Sequence, residues 1–157
     1  MSDKVNPIPD GYHSVTPYII VEGAARAIEF YKQAFGAVEL FRMNGPDGHV
    51  AHAEIKIGDS HVMLADEHHE MGARGPRALG GSPVSLMLYV EDVDATVGRA
   101  VEAGATLKRP VADQFYGDRT GGVEDPFGHA WYVATHVEDV PPEELQKRAA
   151  AAYPGGA

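Results

Sequence analysis

The stretch Val50–Ile57 sorts into two faces when read in steps of two. Ala51, Ala53, Ile55 and Ile57 share one parity, and His52, Glu54 and Lys56 share the other. A strand has a side-chain period of two, so this alternation predicts a strand buried on one side. Its second face carries an imidazole two residues from a carboxylate. Elsewhere the period changes. Ala27, Ile28, Tyr31 and Phe35 fall near one face of a helix, as do Val93, Val97, Ala100 and Val101 further on.

The two helical stretches sit in similar surroundings. PYIIVEGAARAIEFYKQAFGAVEL starts at Pro17, and SLMLYVEDVDATVGRAVEAGATLKR starts at Ser85. Each opens with a short apolar run and Val-Glu, continues as a helix, and stops at Gly-Ala. Glycine is the expected helix terminator because it accepts a positive φ without penalty. The offset between the copies is about 68 to 69 residues, which predicts an internal duplication. After the first helix come candidate strands at Val38–Met43, Val50–Ile57 and His61–Ala65. After the second come Thr106–Pro110, Gln114–Gly117 with Thr120–Glu124, and Ala130–Thr135. Asn44-Gly45-Pro46-Asp47-Gly48, Gly58-Asp59 and Asp125-Pro126-Phe127-Gly128 supply the turns. Each half is therefore strand–helix–strand–strand–strand, and one helix covers only one face of its sheet. The bare faces must meet each other, a partner chain or a ligand.

The expected organisation is a single α+β domain. Module one covers about 14–66, a connector 67–82, module two about 83–137, and a C-terminal helical tail 138–157. The connector is rich in glycine and proline and holds His68, His69 and Glu70. It reads as a surface linker or a flap, with the histidines solvated. Pro141-Pro142-Glu143-Glu144 is a sound start for the tail helix.

Composition narrows the chemistry. There is no cysteine, which excludes disulfides, thiolate metal sites and cysteine nucleophiles and fits a cytoplasmic location. A net charge of −10, with no Lys/Arg patch, argues against nucleic acid as a partner. No apolar run reaches the roughly 20 residues of a membrane span, and Met1–His13 lacks the pattern of a secretory signal. A Gly-rich phosphate loop, a serine elbow and His-Glu-x-x-His are all missing.

AHAEIKIGDSHVMLAD in the first half and DQFYGDRTGGVEDPFGHAWYVATH in the second resemble the vicinal oxygen chelate superfamily, the glyoxalase, bleomycin-resistance and extradiol-dioxygenase group. Within it the chain is most similar to the PhnB-like subgroup. The resemblance runs from about Val15 to about Asp139. It implies two tandem βαβββ modules with curved mixed sheets forming an open cavity, helices outside, and a homodimer.

The superfamily's metal enzymes carry ligands at four points. Counting from motifs places these at Thr16, Leu64, Ser85 and Tyr132. None is His, Glu or Asp, and leucine cannot coordinate a metal. The expectation is therefore neither a metal nor another cofactor. Parity assigns Thr16 and Tyr18, Ser85, Met87 and Tyr89, and Tyr132 with Ala134 to a cavity wall. It assigns Ile19, Val21, Leu86, Leu88, Val90, Trp131 and Val133 to the helix side.

His52 and Glu54 then project into the cavity. They can act as base and orienting carboxylate, as hydrogen-bonding groups, as an unorthodox metal site, or as an ordinary polar strand face. Gln114, Tyr116, Asp118 and Arg119 read as a ligand-gripping edge or as a turn with a surface ion pair. The chain thus reads as a small-molecule-binding protein. The alternative is a lyase or isomerase using His52 and Glu54, with or without a metal in a displaced site.

Overall fold

A computed structural model describes residues 4–155. Met1–Asp3, and Gly156 and Ala157 of the tail, lie outside the described residues. The chain divides into a first unit ending at Gly81 and a second beginning at Ser82.

The first unit holds β1 (Tyr18–Val21), α1 (Ala24–Phe35), β2 (Val38–Asn44), β3 (Val50–Ile57) and β4 (Ser60–Asp66). Its sheet order is β1-β4-β3-β2, with β1 parallel to β4 and the other pairs antiparallel. A short α2 (Pro76–Leu79) follows a single turn of 3-10 helix at His69–Met71. The second unit repeats the pattern. It holds β5 (Ser85–Tyr89), α3 (Val93–Ala103), β6 (Thr106–Asp113), β7 (Asp118–Glu124) and β8 (Ala130–His136), in the order β5-β8-β7-β6. A final helix, α4 (Pro142–Ala152), closes the chain. These are the two tandem βαβββ modules that the sequence pattern predicts.

Each helix buries one stripe on its sheet. Ala27, Ile28, Tyr31 and Phe35 of α1 are buried, together with Ile19, Val21, Ala53, Ile55 and Leu64 of the strands. Burying a side chain of this size contributes about 1.5–3 kcal/mol. α1 ends where Gly36 adopts φ 68; the Gly36 N–H bonds the Lys32 carbonyl and the Ala37 N–H bonds the Tyr31 carbonyl. In α3 the expected stripe fails at one position. Val101 is exposed, and Thr96 completes the buried face with Val93, Val97 and Ala100.

Two strand ends are tied to helix starts by one side chain each. Asp66, the last residue of β4, accepts from the Gly23 and Ala24 N–H groups, both at 2.8 Å. Its other oxygen accepts from the Val50 N–H at 2.8 Å. In the second unit Thr135 Oγ1 accepts from the Val93 N–H and donates to the Val90 carbonyl, both at 2.9 Å. The first N–H groups of a helix have no partner within it, so both ties satisfy donors that the strand–helix corner would otherwise strand. The Asp125-Pro126-Phe127-Gly128 turn works similarly. Buried Asp125 accepts from the Phe127 and His129 N–H groups and from the Trp131 indole.

Four details depart from simple alternation. Ala51 is exposed and Val50 is buried, the reverse of the expected parity. The cause is a bulge, since Met43 pairs with His52 but Asn44 pairs with Val50. Leu64 pairs with Ala53 and Ile19 and is fully buried on the helix side, so it is not a cavity-wall position. Gln114–Gly117 is not a strand but the tip of the β6–β7 hairpin, with β6 running through Pro110 to Asp113. The connector is not featureless, because His68 bridges Ala73 and the chain coils twice.

The Asp66 tie yields a stability prediction. Asp66→Ala leaves three backbone donors unmatched and is expected to cost about 3 kcal/mol. Thr135→Val, losing one accepted and one donated bond, is expected to cost about 1–2 kcal/mol. Urea denaturation of both variants checks the ranking.

Candidate functional site

The open face of the first sheet carries Tyr18 from β1, Met63 from β4, His52 and Glu54 from β3, and Phe41 and Met43 from β2. The register places them together: Tyr18 faces Met63, Met63 faces Glu54, Glu54 faces Phe41, and His52 faces Met43. Because α1 takes the other face, these side chains do not lie under it. Tyr18, Phe41 and Met43 are about half exposed, each between 47% and 52%. That is unusual for large apolar side chains gathered on one surface.

A hydrogen-bonded chain of four side chains runs across this face. Tyr18 Oη lies 2.8 Å from His52 Nδ1. His52 Nε2 lies 3.3 Å from Glu54 Oε1. The other oxygen, Glu54 Oε2, accepts from the hydroxyl of Tyr12. A carboxylate only accepts, so Nε2 of a neutral His52 carries the proton and Nδ1 presents its lone pair to the Tyr18 hydroxyl. The Tyr12 ring stacks on the His61 imidazole with centroids 3.9 Å apart.

The electrostatics follow from these contacts. The Tyr12 hydroxyl holds the Glu54 carboxyl below its usual range; burial works against this, and the neighbouring His52 and His61 assist it. The bond to Glu54 pushes the Tyr12 phenol up, and burial adds to the shift. Tyr18 is also pushed up, by burial first and then by the Glu54 charge. The proton between Tyr12 and Glu54 therefore stays on the phenol.

Beside this chain lies a cavity of about 740 Å³, within the range of small-molecule sites. Tyr18, Ile20 and Ala65 form its sheet wall. Asp47 and His49 contribute from the β2–β3 hairpin, and Glu67, His68 and Met71 from the connector. Glu67 is fixed, with one oxygen 2.5 Å from His69 Nε2 and the other accepting from the Gly75 N–H. The connector is thus a wall of this cavity, and His68 belongs to that wall.

In the second unit, Ser85, Met87 and Tyr89 are exposed along β5, and Tyr132 pairs with Met87 on β8. Tyr89 donates to Asp118 Oδ2 at 2.8 Å, and Asp118 Oδ1 lies 2.7 Å from His136 Nδ1. His136 Nε2 lies 2.7 Å from Asp139. With a carboxylate at each nitrogen, Asp118 and then Asp139 push the His136 imidazole up. The Asp118 bond likewise pushes the Tyr89 phenol up. The Arg109 guanidinium lies 5.9 Å from the Tyr132 ring centroid. A Cβ on Gly122 would crowd both partners at 3.3–3.4 Å.

The predicted residues thus fall into separate groups. Tyr18, His52 and Glu54 come together, and half-buried Thr16 lies just before β1. Tyr89 joins Asp118. Gln114 and Tyr116 sit at a hairpin tip, where Phe115 packs edge-on against Tyr116 and Tyr153. Arg119 follows the second of its two sequence readings, an exposed ion pair. It pairs with Asp94 of α3 at 2.8 and 3.0 Å and with Asp113 at 3.2 Å, on the helix side. Sequence reading missed Tyr12, His61, Arg109, His136 and Asp139. His136 was within reach, because it shares parity with Tyr132.

The four points of the superfamily's metal site offer no suitable donor set. Thr16 and Ser85 are hydroxyls, Tyr132 a phenol, and Leu64 faces the core. Among the described residues no group of three or more His, Cys, Asp or Glu is arranged to hold a metal ion. The residues present do not fit that metal.

Comparison with known proteins supplies the class. Residues 11–133 match the model of the Glyoxalase/Bleomycin resistance protein/Dioxygenase superfamily. The chain belongs to that superfamily. It is 46% identical over 136 residues to protein Rv0887c of Mycobacterium tuberculosis, covering 85% of this chain and 80% of that one. The crystal structure of the Arabidopsis thaliana At5g48480 product is similar, at 29% identity and a TM-score of 0.62, over 78% of this chain and 98% of that one. The PhnB protein of Bacillus cereus shares the fold at 18% identity and a TM-score of 0.61, over 78% and 99%.

The lowered Glu54 carboxyl has a pH consequence. A carboxyl depressed in the folded state stabilises above its unfolded range, and that contribution is lost as pH falls through the folded value. The stability gap between wild type and Glu54→Gln is expected to be full at pH 7 and to close in acid below the ordinary carboxylate range. Urea midpoints of both proteins across that range check it.

Proposed function

We propose that the protein binds a small organic molecule on the open face of its first unit, without the metal of its superfamily's enzymes. The observation that carries this reading is the chain Tyr18–His52–Glu54–Tyr12, set among half-exposed Phe41 and Met43 and bordering a cavity of about 740 Å³. A few placed polar groups in apolar surroundings are what orients a ligand. Thr16 stands at the entrance to β1 as a further contact. Ser85, Met87, Tyr89, Gln114, Tyr116 and Tyr132 are proposed as ligand contacts of the second unit.

Both sheets leave large side chains uncovered: Tyr18, Phe41 and Met43 in one, Met87 and Tyr89 in the other. A homodimer that covers part of this surface fits the superfamily, and a cytoplasmic location fits the cysteine-free chain. No helix among the described residues is long and apolar enough to cross a membrane.

One observation favours a second reading, a lyase or isomerase. Glu54 fixes the His52 tautomer so that Nδ1 offers its lone pair toward an exposed hydroxyl, the arrangement of an oriented general base. Substrate would have to displace the Tyr18 hydroxyl or pass its proton through it.

Native mass spectrometry of untreated protein distinguishes these readings from a mere scaffold. The expected result is a dimer carrying a non-covalent organic mass, with no metal held after dialysis against zinc or nickel. His52→Ala is expected to lower retention of that molecule at least tenfold. One tightly held metal per chain that brings turnover would overturn the metal-free reading. Turnover lost in His52→Ala with binding retained would favour the enzyme.

A further inference from the structure

The segment before β1 crosses the open face of the first sheet, and one side chain seats it there. Residues 4–17 form no strand or helix. Val5, Ile8 and Val15 are exposed at 86%, 53% and 85%. The arm's other polar side-chain contact is internal, from Asn6 to Asp10. The Tyr12 N–H bonds back to the Pro9 carbonyl, a local turn that presents the ring. Tyr12 alone among residues 4–16 makes a side-chain polar or ring contact with the sheet: its hydroxyl donates to Glu54 and its ring lies on His61.

The position that Tyr12 fills has strict requirements. Glu54 is anionic and its Oε1 is already matched by His52, so its Oε2 needs a donor, and an anion there would be repelled. The His61 ring presents a flat face 3.9 Å away, 26° from parallel. An aliphatic alcohol meets the first requirement without the second. An aromatic hydrocarbon meets the second and strands the carboxylate. A flat ring bearing a hydroxyl meets both.

We infer that the first unit's ligand is a phenol, which stacks on His61 and donates to Glu54 in the place Tyr12 now occupies, the arm being displaced as it enters. This rests on the proposed binding role of the same face and names the ligand class. Tyr12 is then a resident plug. It keeps the carboxylate satisfied in the empty protein and sets a threshold that a ligand must exceed.

The test uses the full chain and two probes, p-cresol and its O-methylated analogue 4-methylanisole, which keeps the ring and loses the donor. Binding is read from the His52 and His61 imidazole resonances, and arm displacement from the Gly11 and Tyr12 amides. Tyr12→Ala is expected to bind p-cresol at least tenfold more tightly than wild type, and 4-methylanisole at least tenfold more weakly than p-cresol. Tyr12→Phe, which keeps the stack and releases Glu54, is expected to gain less; it also carries the comparison if Tyr12→Ala does not fold. Adding Glu54→Ala to Tyr12→Ala is expected to abolish the preference for the phenol.

Equal affinity for the two probes, or no gain on removing the Tyr12 hydroxyl, overturns the assignment. If the wild-type protein still retains a co-purified molecule through His52, only the phenol falls and the binding role stands. If nothing is retained either, both fall.

Discussion

The arrangement depends on how a strand end is fastened to a helix start. In the first unit a single carboxylate, Asp66, holds Gly23, Ala24 and Val50. This joins the last strand, the helix that follows the first strand, and the beginning of the bulged strand that carries His52. In the second unit Thr135 makes the equivalent join with one hydroxyl. With the helix pinned there, its apolar stripe has one sheet face to cover, and the opposite face is left without a lid. The candidate site is a consequence of that asymmetry. It also explains why the polar chain tolerates partial exposure: its members are matched to one another, so they need not be buried to be ordered.

Once a face is left open, its side chains must be satisfied by one another or by something that arrives. Glu54 shows both modes. His52 matches one oxygen from the same strand, two residues away, and Tyr12 matches the other from a mostly exposed arm outside the sheet. The in-strand bond joins two side chains that the strand's alternation sets on one face. The Tyr12 bond can leave by moving the arm alone. The two oxygens of the carboxylate therefore differ: one is matched from within β3, the other from a segment outside the sheet.

Much of the fold was legible in the residues. The duplicated apolar run, Val-Glu, helix and Gly-Ala predicted two βαβββ modules, and alternation alone put His52 and Glu54 on the open face. What alternation could not carry was any local break in the period. The bulge at Ala51 reverses two positions, because one extra residue on β3 moves every side chain before it to the other face. Leu64, counted as one of the four ligand points, instead pairs with buried Ala53 and Ile19 on the helix side. Arg119 was grouped with Asp118 as a neighbour in sequence, yet adjacent strand residues face opposite ways, and it reaches Asp94 on the helix. Tyr12 left no signal of this kind. It belongs to no periodic element, and only three-dimensional proximity brings it to Glu54, 42 positions away.

The two repeats serve as a control on which features the fold needs. Both keep the tie, the glycine stop after the helix and the parallel pairing of first and last strands. Their open faces use the same kinds of group, tyrosine, histidine and carboxylate, in different arrangements. One carries a carboxylate set between an imidazole and a phenol. The other carries a histidine flanked by two carboxylates and an arginine above a tyrosine, with Gly122 leaving the space. The fastening is common to both repeats and the arrangement of the polar groups is not, so the fold alone requires neither arrangement.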